Sequence, residues 1–337
     1  MLSFLSDLPD LVLVILGFIF LIFGGESVVQ GAITIARKMN VSPLLIGFTI
    51  VAVGTSLPEL AVTLNAVSSN SQDLVDLAVG GVLGSNVANV MLVLGTAAML
   101  GACDKPGVGI KKDAMAVIMA SIILLVTVLM GEVTQIIGIL MVVALISYYA
   151  YSYNYSKKLG LDEELEETWM GENMLLAMMV TILGGAMIVL GAESLIEGSK
   201  GIADSFGISE SIVGLSVIAL GTSLPELAVT MVAALRGHKG VAIGNVLGSN
   251  VINILGILGI SSAYAGGIIV SEEFAGRDIW IVMVTSGLVA IMLLNERKIT
   301  KTLGVTMVIG YLSYMVCLLY TSPSPRDVEE SRMPSSA

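Results

Sequence analysis

Ten consecutive residues occur twice in this chain. GTSLPELAVT at 54–63 returns unchanged at 221–230, and VLGSNV at 82–87 returns at 246–251. GGES at 24–27 and GAES at 191–194 stand at the same 167-residue offset as the first pair. Self-similarity over such a distance means that one structural unit is used twice.

The unit belongs in lipid. A helix needs about 20 apolar residues to cross the hydrocarbon of a bilayer, and such stretches recur here with charges held to their ends. The spacing predicts ten spans, at 8–36, 41–69, 76–101, 113–131, 133–156, 173–203, 208–235, 240–269, 278–295 and 299–320. A mean hydropathy of +0.93 with 13% charged residues agrees with this all-α membrane reading. The first span lacks a basic leader and a small-residue cleavage pattern, so it reads as a mature helix rather than a signal peptide.

The repeats divide the chain into a first five-helix unit at 1–156, a linker at 157–172, a second five-helix unit at 173–320 and a polar tail at 321–337 that resembles appended adapter sequence. Five is odd, so the second unit must enter the membrane from the opposite side. Inverted repeats of this kind build transporters that open alternately to either face of a central site. The basic residues follow the same arithmetic. Loops after odd-numbered spans carry 12 of the 16 Lys and Arg residues. The positive-inside rule therefore places those loops in the cytoplasm and both chain ends outside a cell membrane.

Glu59 and Glu226 fall deep in apolar spans, where an ionised carboxylate costs at least ~2.5–3.5 kcal/mol. Each follows a proline, Pro58 or Pro225, which removes an amide donor and should break the helix at Gly54 or Gly221. A break of this kind frees backbone oxygens around Ala52, Thr55, Ala219 and Thr222 to face a cavity. Ser85 with Asn89, and Ser249 with Asn253, lie four residues apart and share a helix face. The set is two carboxylates, two amides, hydroxyls and carbonyls, with no nitrogen or sulfur ligand at membrane depth. Such an all-oxygen set suits a hard cation, and calcium's six to eight oxygens in flexible geometry fit better than magnesium's strict octahedron. Two negative charges balance one Ca²⁺ or two Na⁺.

Paired GTSLPE segments, each followed by a GSN segment, resemble the two α-repeats of the sodium/calcium exchangers in the calcium/cation antiporter superfamily. The resemblance implies that spans two, three, seven and eight surround the ions while spans one and six gate them. It implies calcium binding by Glu59 and Glu226 with the carbonyls of Thr55 and Thr222. It further implies sodium sites lined by the Ser56, Ser85, Ser223 and Ser249 hydroxyls and the Ala52 and Ala219 carbonyls, with Asn89 and Asn253 near the centre. Potassium-dependent members carry an aspartate where this chain has Asn253. Proton/calcium exchangers carry a GNATE-like segment, which favours sodium as the coupling ion; a proton/calcium or other cation antiporter using the same site is the alternative. The short linker resembles that of prokaryotic members.

Other features take plainer readings. Glu26 and Glu193 read as structural, DEELEE at 162–167 as a solvated linker, and His238 as part of a basic loop. Cys103 and Cys317 read as packing residues. An enzyme is not expected: the aspartates are placed in loops or chain ends and the histidine in a loop, so no intramembrane protease can be assembled. The expected partners are the lipid bilayer and the transported calcium and sodium ions, with no cofactor, nucleic acid or obligatory protein partner.

Overall fold

A computed structural model describes residues 8–69, 71–104, 109–160, 168–206 and 221–321. The helices are α1 (Asp10–Met39), α2 (Pro43–Thr55), α3 (Leu57–Ser68), α4 (Gln72–Met99), α5 (Ile110–Met130), α6 (Gln135–Leu159), α7 (Met174–Ser205), α8 (Leu224–Leu235), α9 (Lys239–Ala265), α10 (Asp278–Leu294) and α11 (Lys301–Thr321). Seven are long and apolar enough to cross a membrane, and α2 with α3 adds an eighth span bent by 45°. α8 and α10 are shorter apolar helices. The seventh expected span, 208–235, falls partly outside the described residues, as do the acidic run of the linker and the tail.

The boundaries follow local chemistry. Ser42 caps α2 by accepting from the Leu45 amide, with Pro43 in the first turn where no amide donor is needed. Thr134 and Asn173 cap α6 and α7 in the same way. Arg37 and Lys38 close α1, and Lys157 and Lys158 close α6, where cations meet the negative end of the helix dipole. Two short strands were not expected: β1 (Glu132–Thr134) pairs antiparallel with β2 (Gly267–Ile269). Three residues per strand are too few to show alternation in sequence.

Contacts sort the loops to two ends of the bundle. At one end Lys38 pairs with Glu172, Lys111 with Glu296, and the Ser42 amide with Ser156. At the other lie the β1–β2 ladder and the bonds from Gln72 to the Ile269 carbonyl and from Ser271 to Asp76. The basic loops expected to share a side thus meet one another.

α9 is buried along its whole apolar length and forms the centre, while in α1, α6, α7 and α11 most of the apolar length is exposed or only partly buried. Leu11, Phe18, Ile136, Leu175, Ile182 and Leu288 are among the large apolar side chains on the outside, a surface suited to lipid rather than water.

Helix association in lipid depends on close packing, so small residues at contacts carry much of it. Gly17, Gly24 and Gly31 recur every seventh residue on α1, as do Gly184, Gly191 and Gly198 on α7. A Cβ on Gly24 would lie 2.8 Å from the Gly184 carbonyl, and one on Gly17 2.9 Å from that of Gly191. The two helices therefore meet backbone to backbone. α9 seats on α2 in the same manner, with a Cβ on Gly248 falling 2.2 Å from the Phe48 carbonyl oxygen.

Gly248→Ala is accordingly expected to force α9 off α2 and cost about 1–3 kcal/mol, read as a lowered Tm in detergent. Gly287→Ala, whose Cβ meets nothing within 4 Å, should leave Tm unchanged or raise it slightly.

Candidate cation site

The proline-containing decapeptides break their helices as their sequence requires. Pro58 and Pro225 occupy the first turns of α3 and α8, and the serines before them take one conformation: φ −91° with ψ 5° at Ser56 and 0° at Ser223. That is the bridge region, sparsely occupied because it neither continues a helix nor extends the chain. The result in the first copy is a bend between α2 and α3 that puts Thr55, Ser56 and Glu59 at the junction.

Among the described residues, three stretches of wider, π-type turn flank these breaks, at Gly47–Val51 in α2, Asn89–Leu94 in α4 and Ile252–Leu258 in α9. Such turns re-aim side chains and loosen the regular backbone ladder, and they gather at functional positions. Asn89 opens one and Asn253 stands second in another. α3 packs on the wide turn of α9 and α8 on that of α4, so each broken helix faces the asparagine of the other copy.

Glu226 is fully buried and its Oε1 accepts from Ser56 Oγ at 3.1 Å and from Ser249 Oγ at 3.5 Å. Its Oε2 has no protein partner. Glu59 is 6% exposed and neither of its carboxylate oxygens has a partner, although it is close enough to Glu226 for the two charges to repel. Asn253 Nδ2 donates to Ser85 Oγ at 3.1 Å, leaving its Oδ1 unpartnered, and both polar atoms of the buried Asn89 are likewise unpartnered. The Ser223 hydroxyl is in the same condition. Ala52 is buried; its carbonyl accepts from the Ser56 amide and lies 3.2 Å from Thr55 Oγ1. Thr222 is half-buried in the turn before α8, and Ala219 lies outside the described residues.

The bonds cross between the sequence copies. Ser56 of the first reaches Glu226 of the second, and Asn253 of the second reaches Ser85 of the first. Neither glutamate joins an ion pair among the described residues, and no cluster of three or more His, Cys, Asp or Glu side chains forms there. Beside the junction, a small recess between α1, α2 and α7 is lined by Val28, Gly54, Thr55, Thr181 and Gly185, among others.

Several polar residues escaped the sequence reading. Asn86 and Asn250 are buried with unpartnered oxygens; they follow Ser85 and Ser249 directly, off the face that the four-residue spacing selects. Asn245 donates to the Glu226 carbonyl and to Thr230. It has no counterpart in the first copy, where Gly81 stands in register, so a search for repeated residues passes over it. Asp113 was expected at a helix end among loops. It is buried within α5, 1% exposed, and bonded to Lys112 and Tyr148. Glu26, expected to be structural, accepts from Arg236 and Gln30.

Three comparisons bear on the chain as a whole. A family model described as "Sodium/calcium exchanger protein" matches residues 10–154 and again 176–320. Among curated proteins, the putative antiporter CaxA of Alkalimonas amylolytica is 32% identical over 92% of this chain and 98% of its own length. The sodium/calcium exchanger MaX1 of Methanosarcina acetivorans is 29% identical over 92% of this chain and 99% of its own. Among solved structures, the sodium-calcium exchanger NCX_Mj soaked with Na⁺ and Sr²⁺ superposes with a TM-score of 0.76 at 26% identity, covering 94% of this chain and 99% of that one.

The unequal bonding of the two carboxylates has a measurable consequence. Glu59→Leu removes buried oxygens that have no partner and is expected to hold or raise Tm in sodium- and calcium-free detergent. Glu226→Leu strands the Ser56 and Ser249 hydroxyls and should lower stability by about 1–3 kcal/mol. Equal shifts in the two variants would contradict the asymmetry.

Proposed function

This chain belongs to the sodium/calcium exchanger family, and from that membership we propose that it moves calcium and sodium in opposite directions through one site that both ions share. It is a multi-pass membrane protein of a transporter family. In the proposed arrangement residues 1–156 and 173–320 are inverted five-helix units, with both chain ends outside the cell. The separate matches of the family model to each half support this, as do the shared backbone at Ser56 and Ser223 and the sorting of loops to two ends.

The observation that carries the reading is the condition of the glutamates. Two buried carboxylates stand together with three of their four oxygens unpartnered. An uncompensated pair of negative charges at membrane depth is costly, and a cation is the group that offsets it. Calcium takes the site through Glu59, Glu226 and the carbonyls of Thr55 and Thr222. Sodium uses the Ser56, Ser85, Ser223 and Ser249 hydroxyls with the Ala52 and Ala219 carbonyls, and Asn89 and Asn253 stand between. One Ca²⁺ or two Na⁺ satisfies the same two charges, so binding of one displaces the other. α1 and α7, packed backbone to backbone, are the gate.

The test is ⁴⁵Ca²⁺ uptake into sodium-loaded proteoliposomes at clamped pH and potential. Uptake should require internal sodium and fall at least tenfold, about 1.4 kcal/mol or more, in both Glu59→Gln and Glu226→Gln. Uptake that ignores sodium and follows a pH gradient would replace sodium with protons as the coupling ion. Undiminished uptake in both variants would remove the paired-glutamate site.

A further inference from the structure

Asn245 lies on α9 with no exposed surface, one helical turn before Ser249. Its Nδ2 donates to the Glu226 backbone carbonyl at 3.3 Å and to Thr230 Oγ1 at 3.0 Å. A backbone carbonyl only accepts, so the amide nitrogen is fixed on the α8 side and Oδ1 faces the other copy. There it meets Thr55 Oγ1 at 3.2 Å, and the threonine hydroxyl must be the donor.

That hydroxyl has one proton and a choice of acceptors. The Ala52 carbonyl is also 3.2 Å from Thr55 Oγ1, and the Glu226 carboxylate stands beside them, held at 3.1 Å by the hydroxyl of Ser56, the next residue. Both alternatives are oxygens that the exchange reading gives to the cations. A proton pointed at either one occupies a lone pair and sets a positive hydrogen where a cation should sit. With the proton on Asn245, both oxygens are released and the Thr55 oxygen turns a lone pair towards the site.

The reciprocal position, in the first copy, is built differently. In the register of the two VLGSNV segments, the position of Asn245 is Gly81, which has no side chain to accept a hydroxyl. The chain thus carries this device once.

We propose that Asn245 is a positioning residue that holds the Thr55 hydroxyl proton away from the Ala52 carbonyl and the Glu226 carboxylate, keeping them open to sodium and making the first-copy sodium position the tighter of the two. This rests on the exchange reading above. Asn245 acts through Thr55 and need not touch an ion.

A double-mutant cycle separates this role from packing. Wild type, Asn245→Ala, Thr55→Val and the double variant are reconstituted. Sodium-driven ⁴⁵Ca²⁺ uptake gives the half-saturating sodium concentration, and sodium-free calcium–calcium exchange serves as the readout of intact calcium binding. Asn245→Ala should raise half-saturating sodium by about three- to tenfold, the scale of one lost hydrogen bond, while calcium–calcium exchange falls by less. In the Thr55→Val background the proton is gone, so adding Asn245→Ala should shift half-saturating sodium by less than about twofold. An equal shift in both backgrounds, or no shift in Asn245→Ala alone, overturns the proposal. So does parallel loss of both transport modes in Asn245→Ala, which would place the residue in packing. Absence of sodium-driven uptake in wild type would sink the exchange reading itself, and this proposal with it.

Discussion

Two carboxylates buried together without a basic partner are the constraint to which the rest of this fold answers. Glu59 and Glu226 sit at membrane depth, and the ion pairs among the described residues lie elsewhere, at helix ends and on the bundle surface. Charge so placed must be met by mobile cations or by protons. The proline breaks and the wide turns at Asn89 and Asn253 lie against that charge, and in the exchange reading they supply the oxygens around it. A regular helix has its carbonyls committed to its own ladder, and only where the ladder is interrupted can backbone oxygen be offered to anything else.

Much of this was legible in the sequence because the responsible signals are local. Proline after Leu57 and Leu224 dictates a break whatever surrounds it, and a glutamate in an apolar span marks a buried charge that needs an explanation. Among the described residues the helices likewise follow from hydropathy, within a few residues at their ends. What stayed hidden depends on neighbours distant in sequence. The wide turns have no residue code, and the β1–β2 ladder is set by which loops meet. Asp113 looked like a loop residue because it lies in the first turn of α5, yet tertiary packing buries it against Tyr148. Asn245 was missed for a different reason: repetition was the guide, and Asn245 is where the repeat is broken.

That break in symmetry shows how identical segments come to differ. The two GTSLPE copies share a backbone conformation at their serines, but each glutamate is surrounded by residues from elsewhere. Glu226 is anchored through Ser56 and Ser249 and its carbonyl is held by Asn245. The Glu59 carboxylate has no such anchoring; only its backbone carbonyl is held, by Thr63. A duplicated unit can therefore supply a pair of ligands with unequal constraints, one fixed and one free to follow an ion, without altering the motif.

In the proposed cycle the gate must move past this crowded centre without unpacking the protein. The α1–α7 contact meets that demand through glycine. With no side chains interlocked at Gly17, Gly24, Gly184 and Gly191, the two helices touch over backbone and hold each other closely enough to travel as one body. Their hold on the centre is slighter. Gly25 faces Ala228 and Val232 of α8, a Cβ there falling 3.1 Å from the Val232 side chain rather than against backbone at under 3 Å, and in the Glu26–Arg236 ion pair between them the arginine side chain is 57% exposed. An ion pair of that exposure contributes at most about 1 kcal/mol, little against the affinity that an ion brings to the site. Strong cohesion within the gate and weak cohesion between gate and centre is the condition for a rigid-body step, in which a bistable interface moves and a packed one does not. The same sequence repeat that supplies the paired glutamates supplies those glycines, at the same offset, so site and gate were duplicated together.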